Sequence, residues 1–194
     1  MTEARAGRKR SETSRQAILQ AAYALMEEVG FDRMSIEGVA ARAGVGKTTI
    51  YRWWESRGVL AVEAFLTTVE PVIAFHETGS AREDMIAQMQ ALAELYRGPT
   101  GRFVREMIGS SQSDPAMRSA FHDLFLSPRR ESARAVFWRG QAAGEFRAGV
   151  DADAAIDALY SPIYYRLLAS DCPIDEREVA NIAALVMRGL DATG

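Results

Sequence analysis

Ser35–Trp54, SIEGVAARAGVGKTTIYRWW, is the stretch on which the reading of this chain turns. Ile36, Val39, Ala40 and Ala43 recur at i, i+3, i+4 and i+7, which places them on one face of a helix. Ser35 stands just ahead of that face, where a hydroxyl can accept from the first free backbone N–H groups. Gly44 follows where a chain leaving a helix often turns through a left-handed residue. Val45 plugs the corner, and a second helix starts near Gly46. That helix turns Ile50 and Trp54, four residues apart, inward. It offers Lys47, Thr48, Thr49, Tyr51, Arg52 and Trp53 outward. Two short helices, a tight turn and a polar second helix make a helix-turn-helix, whose second helix fits the major groove of DNA.

The rest of the chain reads as helix. Its 194 residues are 48% hydrophobic and 25% charged, ordinary for a globular protein, and strand-like alternation is hard to find. No apolar run reaches the roughly 18 residues of a membrane span. There is no secretory signal, and the single Cys172 excludes an internal disulfide and fits a reducing cytoplasm. Net charge is −3, but it is unevenly placed. Residues 1–60 hold ten Lys+Arg against seven Asp+Glu, and residues 61–194 hold thirteen against nineteen. A basic head on an acidic body lets the head meet phosphates.

Residues 1–11 read as a flexible basic tail, with Arg5, Arg8, Lys9 and Arg10 as cations that either enter a minor groove or simply solubilise the chain. A first helix spans about Glu12–Val29. A helix from Glu55 or Ser56 stops before Pro71. Further helices cover about Ser80–Arg97 and Gly101–Ser110, then one starts at Asp114-Pro115 and is broken or kinked at Pro128. The last two run about Asp153–Ser170, with Pro162 inside, and Asp175–Leu190. The fold class is all-α: an N-terminal three-helix DNA-binding head over 12–72, with its motif at 35–54, and a C-terminal bundle over 73–194, about nine helices altogether.

Met34-Ser35-Ile36, Val39-Ala40-Ala43-Gly44-Val45, Thr49-Ile50-Tyr51 and the Arg57…Leu60 helix start resemble the TetR family of bacterial transcriptional regulators, over about Glu12–Val72. The segment SPIYYRLL and the final helix resemble the ligand-binding, dimerising half of one branch of that family. The resemblance implies DNA contacts from Ser35, Lys47, Thr48, Thr49, Tyr51, Arg52 and Trp53. Arg57 stands where a phosphate-binding lysine is usual, Gly46 where a serine cap is frequent, and Gly58 where a better helix former is usual. It implies an effector pocket in the C-terminal half, for which Met89, Tyr96, Phe103, Met107, Phe121, Phe125, Trp138 and Tyr164 are candidate linings for a small apolar or aromatic ligand. It also implies a homodimer built on the last two helices, through Ile156, Leu159, Ile163, Val179, Ile182, Val186 and Leu190.

The function expected is therefore a ligand-responsive cytoplasmic regulator, a repressor on a palindromic operator. The rivals are a helical ligand-binding protein or enzyme with a vestigial head, and an activator or nonspecific DNA binder. No acid–base or nucleophile constellation supports an enzyme. His76 and His122 are too isolated for a metal site, Cys172 lacks the neighbouring cations of a reactive thiol, and no cofactor is expected.

Overall fold

A computed structural model describes residues 2–191, with side chains from Ser11 onward. The described residues form helices joined by short connections, with one isolated bridge between Phe146 and Asp191. In chain order the helices are α1 Thr2–Val29, α2 Ile36–Ala43, α3 Lys47–Tyr51, α4 Arg57–Ile73, α5 Ala81–Arg97, α6 Pro99–Ser111, α7 Pro115–Ala120, a π-helical turn at Phe121–Leu126, α8 Ser127–Ala142, α9 Ala152–Ala169 and α10 Glu176–Leu190. They pack as two units, one made of the residues up to Glu70 with Glu106–Phe125, the other of Pro71–Arg105 with Leu126 onward.

Local chemistry places most helix ends. Ser35, Ser80, Asp114, Asp151 and Asp175 each accept from a backbone N–H of the first turn they precede. Pro115 follows Asp114 at the first helical position, where a missing N–H loses nothing. Several element boundaries are settled by the structure and not by the sequence. Helix α1 begins at Thr2 instead of Glu12, because Ala4, Arg5, Ala6, Arg8 and Lys9 favour helix as strongly as the residues after them. The side chains of Arg5, Arg8, Lys9 and Arg10 lie outside the described residues. Helix α4 runs through Pro71 to Ile73; a proline so close to a helix end removes one hydrogen bond from a turn about to stop. Ahead of Pro128 the chain takes a π turn, which absorbs an extra residue where regular bonding would fail.

In the first unit α1 packs on α2 and α2 on α3, with Ile18, Ala22 and Met26 of α1, Ile36, Val39 and Ala40 of α2, Ile50 and Trp54 all buried. Leu60, Phe65 and Val69 of α4 are buried too, and Phe65 tilts against Phe125, which stacks on Phe121 at 5.0 Å. Met117 sits over Gly58, where an added Cβ would lie 2.8 Å from its sulfur, so the glycine that weakens the start of α4 makes room for α7.

Helix α5 is the spine of the second unit, against α8, α9 and α10, with Met85, Met89, Leu92 and Tyr96 buried. Phe137 stacks on Phe146 at 5.0 Å, and Gly140 lets the Phe146 ring come where a Cβ would stand. Two buried or half-buried carboxylates organise the start of α5. Glu145 accepts from Ser80 Oγ at 2.7 Å and from the N–H groups of Ala81 and Arg82 at 3.0 and 3.1 Å. Asp84 accepts from the N–H and hydroxyl of Thr78 at 2.9 and 2.7 Å and pairs with Arg139. Burial pushes both carboxyls up, but the hydrogen bonds outweigh it and hold them below their ordinary values.

Candidate nucleic-acid interface

The reading helix is short, and its anchors lie at its far end. Ser35 Oγ accepts from Gly38 N–H at 3.0 Å and starts α2. Gly44, at φ 66 and ψ 34, closes α2, and Val45 N–H returns to Ala40 O at 3.0 Å. Gly46 supplies no side-chain bond to the first turn of α3. The helix is held instead by Ile50, fully buried, and Trp54, 1% exposed. The indole N–H of Trp54 donates to Glu63 of α4, and the other oxygen of Glu63 pairs with Arg15 of α1. Glu63 escaped the sequence reading. The signal was available: a tryptophan buried to its ring needs an acceptor for its N–H, and Glu63 follows Trp54 on the next helix.

Ser35, Lys47, Thr48, Tyr51, Arg52 and Trp53 are exposed, with Tyr51 at 53% and Trp53 at 40%. Thr49 is half-buried and faces partly inward. This outward set carries ammonium, guanidinium, hydroxyl, phenol and indole donors along a helix of major-groove size, the chemistry of phosphate and base-edge contacts. Lys47 Nζ donates to Glu37 Oε1 at 2.9 Å, and each raises the other's preference for charge, so Lys47 is held up and Glu37 down. Both are exposed, and salt screens the pair.

Arg57, expected at a phosphate, is half-buried and bonds within the head. Its Nη1 donates to the carbonyls of Phe31 and Asp32 at 2.8 Å and of Met34 at 3.2 Å, and its guanidinium lies 4.6 Å from the Phe31 ring centroid. The connection from α1 to α2 presents three carbonyls with no helical partner, and this cation satisfies them. Phe31 N–H in turn donates to Glu106 at 2.7 Å.

The candidate effector residues divide between the units. Met107, Phe121 and Phe125 are buried in the first, and Met89, Tyr96 and Phe103 in the second. Tyr96 donates its hydroxyl to that of Tyr164 at 3.0 Å, the rings meeting edge-on at 5.7 Å, and burial pushes both phenols up. Trp138 is a correction: it stands 55% exposed, on the side of α8 away from buried Val136 and Phe137. Two surface grooves of about 270 and 310 Å³ flank α5; the first involves Ala93, Arg97 and Ile174, the second Ile86, Ala183 and Met187. None of the eight candidates lines either.

The dimer set needs a larger correction. Ile156, Leu159, Ile163, Val179 and Leu190 are buried within this chain's own unit, at 6% exposure or less, and leave little surface for a partner. Ile182 and Val186 are half-buried. On the same two helices Tyr165, Leu168 and Leu185 are exposed at 64%, 45% and 67%. A 3.6-residue period marks a buried face but not what covers it.

Among the described residues no helix is long and apolar enough to cross a membrane. The family model for bacterial regulatory proteins of the tetR family matches residues 18–64, and that for the tetracyclin repressor-like C-terminal domain matches residues 75–186. The uncharacterized HTH-type transcriptional regulator YdeS of Bacillus subtilis is 33% identical over 191 residues, covering 98% of this chain and 96% of its own. The DNA-binding transcriptional repressor TetR of Mycobacteroides abscessus is 28% identical, over 89% and 91%. The crystal structure of the TetR family transcription regulator SCO0332 superposes with a TM-score of 0.83 at 34% identity, over 91% of this chain and 98% of that one. Matched at both ends and carrying an intact helix-turn-helix, the chain belongs to the TetR family of bacterial transcriptional regulators, DNA-binding proteins that respond to ligands and act as dimers.

Proposed function

We propose that this chain is a repressor that binds a palindromic operator as a homodimer in the cytoplasm and lets go when a small apolar or aromatic effector binds its C-terminal half. The observation that carries the reading is the exposed donor set of α3 and its C-cap, Lys47, Thr48, Tyr51 and Arg52, held in place by buried Ile50 and by Trp54 just beyond the helix. Residues 12–72 read DNA, and 73–194 hold the effector and the partner. The sign of regulation is supported by the Mycobacteroides abscessus relative, named as a repressor. Two-fold symmetry sets two reading helices about 34–36 Å apart, one turn of DNA. The exposed apolar side chains Tyr165, Leu168 and Leu185 support a partner seated on α9 and α10. An effector acts by binding one conformation better than the other. Selection of bound sequences from random duplex DNA tests this. A palindromic motif is expected, and a folded protein that enriches no motif overturns the reading.

A further inference from the structure

We propose that Trp53 is a positioning residue of the DNA interface: its exposed indole, within cation reach of both Arg15 and Arg52, holds Arg52 in place for a backbone phosphate. This rests on the DNA-binding reading of the head and adds a residue role to it.

The geometry runs from a fixed point outward. Glu63 on α4 accepts from the buried Trp54 indole and pairs with Arg15 on α1, which also lies 3.5 Å from Glu12. So fixed, the Arg15 guanidinium sits 5.9 Å from the ring centroids of both Trp53 and Trp54. The two indoles are 6.4 Å apart and tilted by 45°. The Arg52 guanidinium lies 5.9 Å from the Trp53 ring centroid. Each guanidinium distance falls at the edge of the reach of a cation over an aromatic ring, about 6 Å, and tryptophan is the strongest ring for it.

The neighbouring cations of the motif are already spoken for. Lys47 pairs with Glu37, Arg42 with Glu28, and Arg57 with three carbonyls. Among the described residues no carboxylate pairs with Arg52. Its exposed guanidinium is therefore left to a phosphate, with the Trp53 ring centroid 5.9 Å away. An arginine in water loses rotamer freedom when it grips a phosphate, and one already laid on a ring loses less. An aliphatic side chain at 53 fills space without this hold. A phenylalanine keeps a ring face.

The test is a double-mutant cycle in the full-length protein, with Trp53→Ala, Trp53→Leu, Trp53→Phe, Arg52→Ala and Trp53→Ala/Arg52→Ala. The probes are a random-sequence duplex at low salt, where phosphate contact alone is read, and the duplex selected above. Trp53→Ala and Trp53→Leu should each weaken binding about tenfold and lower the slope of log K on log salt by about one, as one lost phosphate contact does. Trp53→Phe should stay within about threefold of wild type. The double mutant should bind no worse than Arg52→Ala, because Trp53 acts through that side chain. Additive losses, or a Trp53→Leu variant that binds like wild type, overturn the proposal. Thermal unfolding of each variant separates a misfolded head from a mispositioned arginine. A folded wild type that binds neither probe overturns the DNA reading itself, and this role with it.

Discussion

Replacing Leu185 with aspartate separates folding from assembly. Leu185 lies on α10 with two thirds of its surface exposed, so the chain's own core does not use it. A surface substitution of this kind changes the stability of one chain by about 0.5 kcal/mol or less. A partner seated on α9 and α10 changes the balance. Burying a leucine fully contributes about 1.5–3 kcal/mol, so covering its exposed two thirds contributes about 1–2 kcal/mol. The two-fold axis repeats the contact, which makes about 2–4 kcal/mol before the cost of an unpaired carboxylate is added. At about 1.4 kcal/mol per tenfold, the dimer should loosen by a factor of about 30–1000 or more. Sedimentation velocity across a dilution series reads that directly, with circular dichroism and thermal unfolding as the check on the single chain. The variant should be a folded monomer where wild type is a dimer, with operator binding lost in proportion. An unchanged dissociation constant for the dimer would refute the assignment of this face. Val186→Asp tests the point less cleanly, because Val186 is half-buried in its own chain and the substitution also disturbs folding.

Other substitutions probe the remaining arguments. Glu37→Gln frees Lys47 from its carboxylate and removes a negative charge beside the DNA face, so duplex affinity should rise about two- to fivefold and depend more steeply on salt; an unchanged affinity in fluorescence anisotropy removes Lys47 from the interface. Gly140→Ala sets two effects against each other. Helix propensity favours alanine by about 1 kcal/mol, whereas the added methyl meets Phe146 carbons at 2.3 and 2.5 Å and Ala81 Cβ at 2.8 Å. Overpacking of that kind costs about 1–3 kcal/mol, so Tm should fall by several degrees, and a rise would show the ring free to move. Asp84 and Glu145 hold protons less tightly folded than unfolded, so their stabilisation is complete above the ordinary values of 3.8 and 4.5 and drains away as pH falls through the lower folded values. Urea unfolding followed from neutral pH into acid should show that loss, and Asp84→Asn should flatten it; an equally steep loss in the variant assigns the acid dependence elsewhere.

The capped ends of the helices were legible because capping is local. Ser35, Gly44, Ser80, Asp114-Pro115 and Asp175 each act within a few residues of themselves, and each stands where the sequence places it. The fold class and the reading head followed from those ends and from period. The partners of a buried face did not. Val179 and Ile163 satisfy the helical period equally well against their own chain or against a second copy, and only the three-dimensional packing separates the two. Arg57 shows the same ambiguity for charge: a guanidinium beside a DNA-reading helix suits a phosphate or backbone carbonyls, and the pattern gave no sign of the three carbonyls that its Nη1 meets. Conversely, Gly58 looked like a weak helix start and proves to be the seat of Met117, a contact 59 positions away that no local pattern carries.

The first unit is assembled from two pieces of chain, and this gives it a schedule during synthesis. Residues up to Glu70 leave the ribosome first, yet Glu106, Met117 and Phe125, which receive Phe31, Gly58 and Phe65, emerge tens of residues later. At the usual pace of about 5–20 residues per second, the nascent reading head waits several seconds with those apolar surfaces uncovered. A gene cut short between the two pieces would leave the reading helix in place and its foundation unfinished.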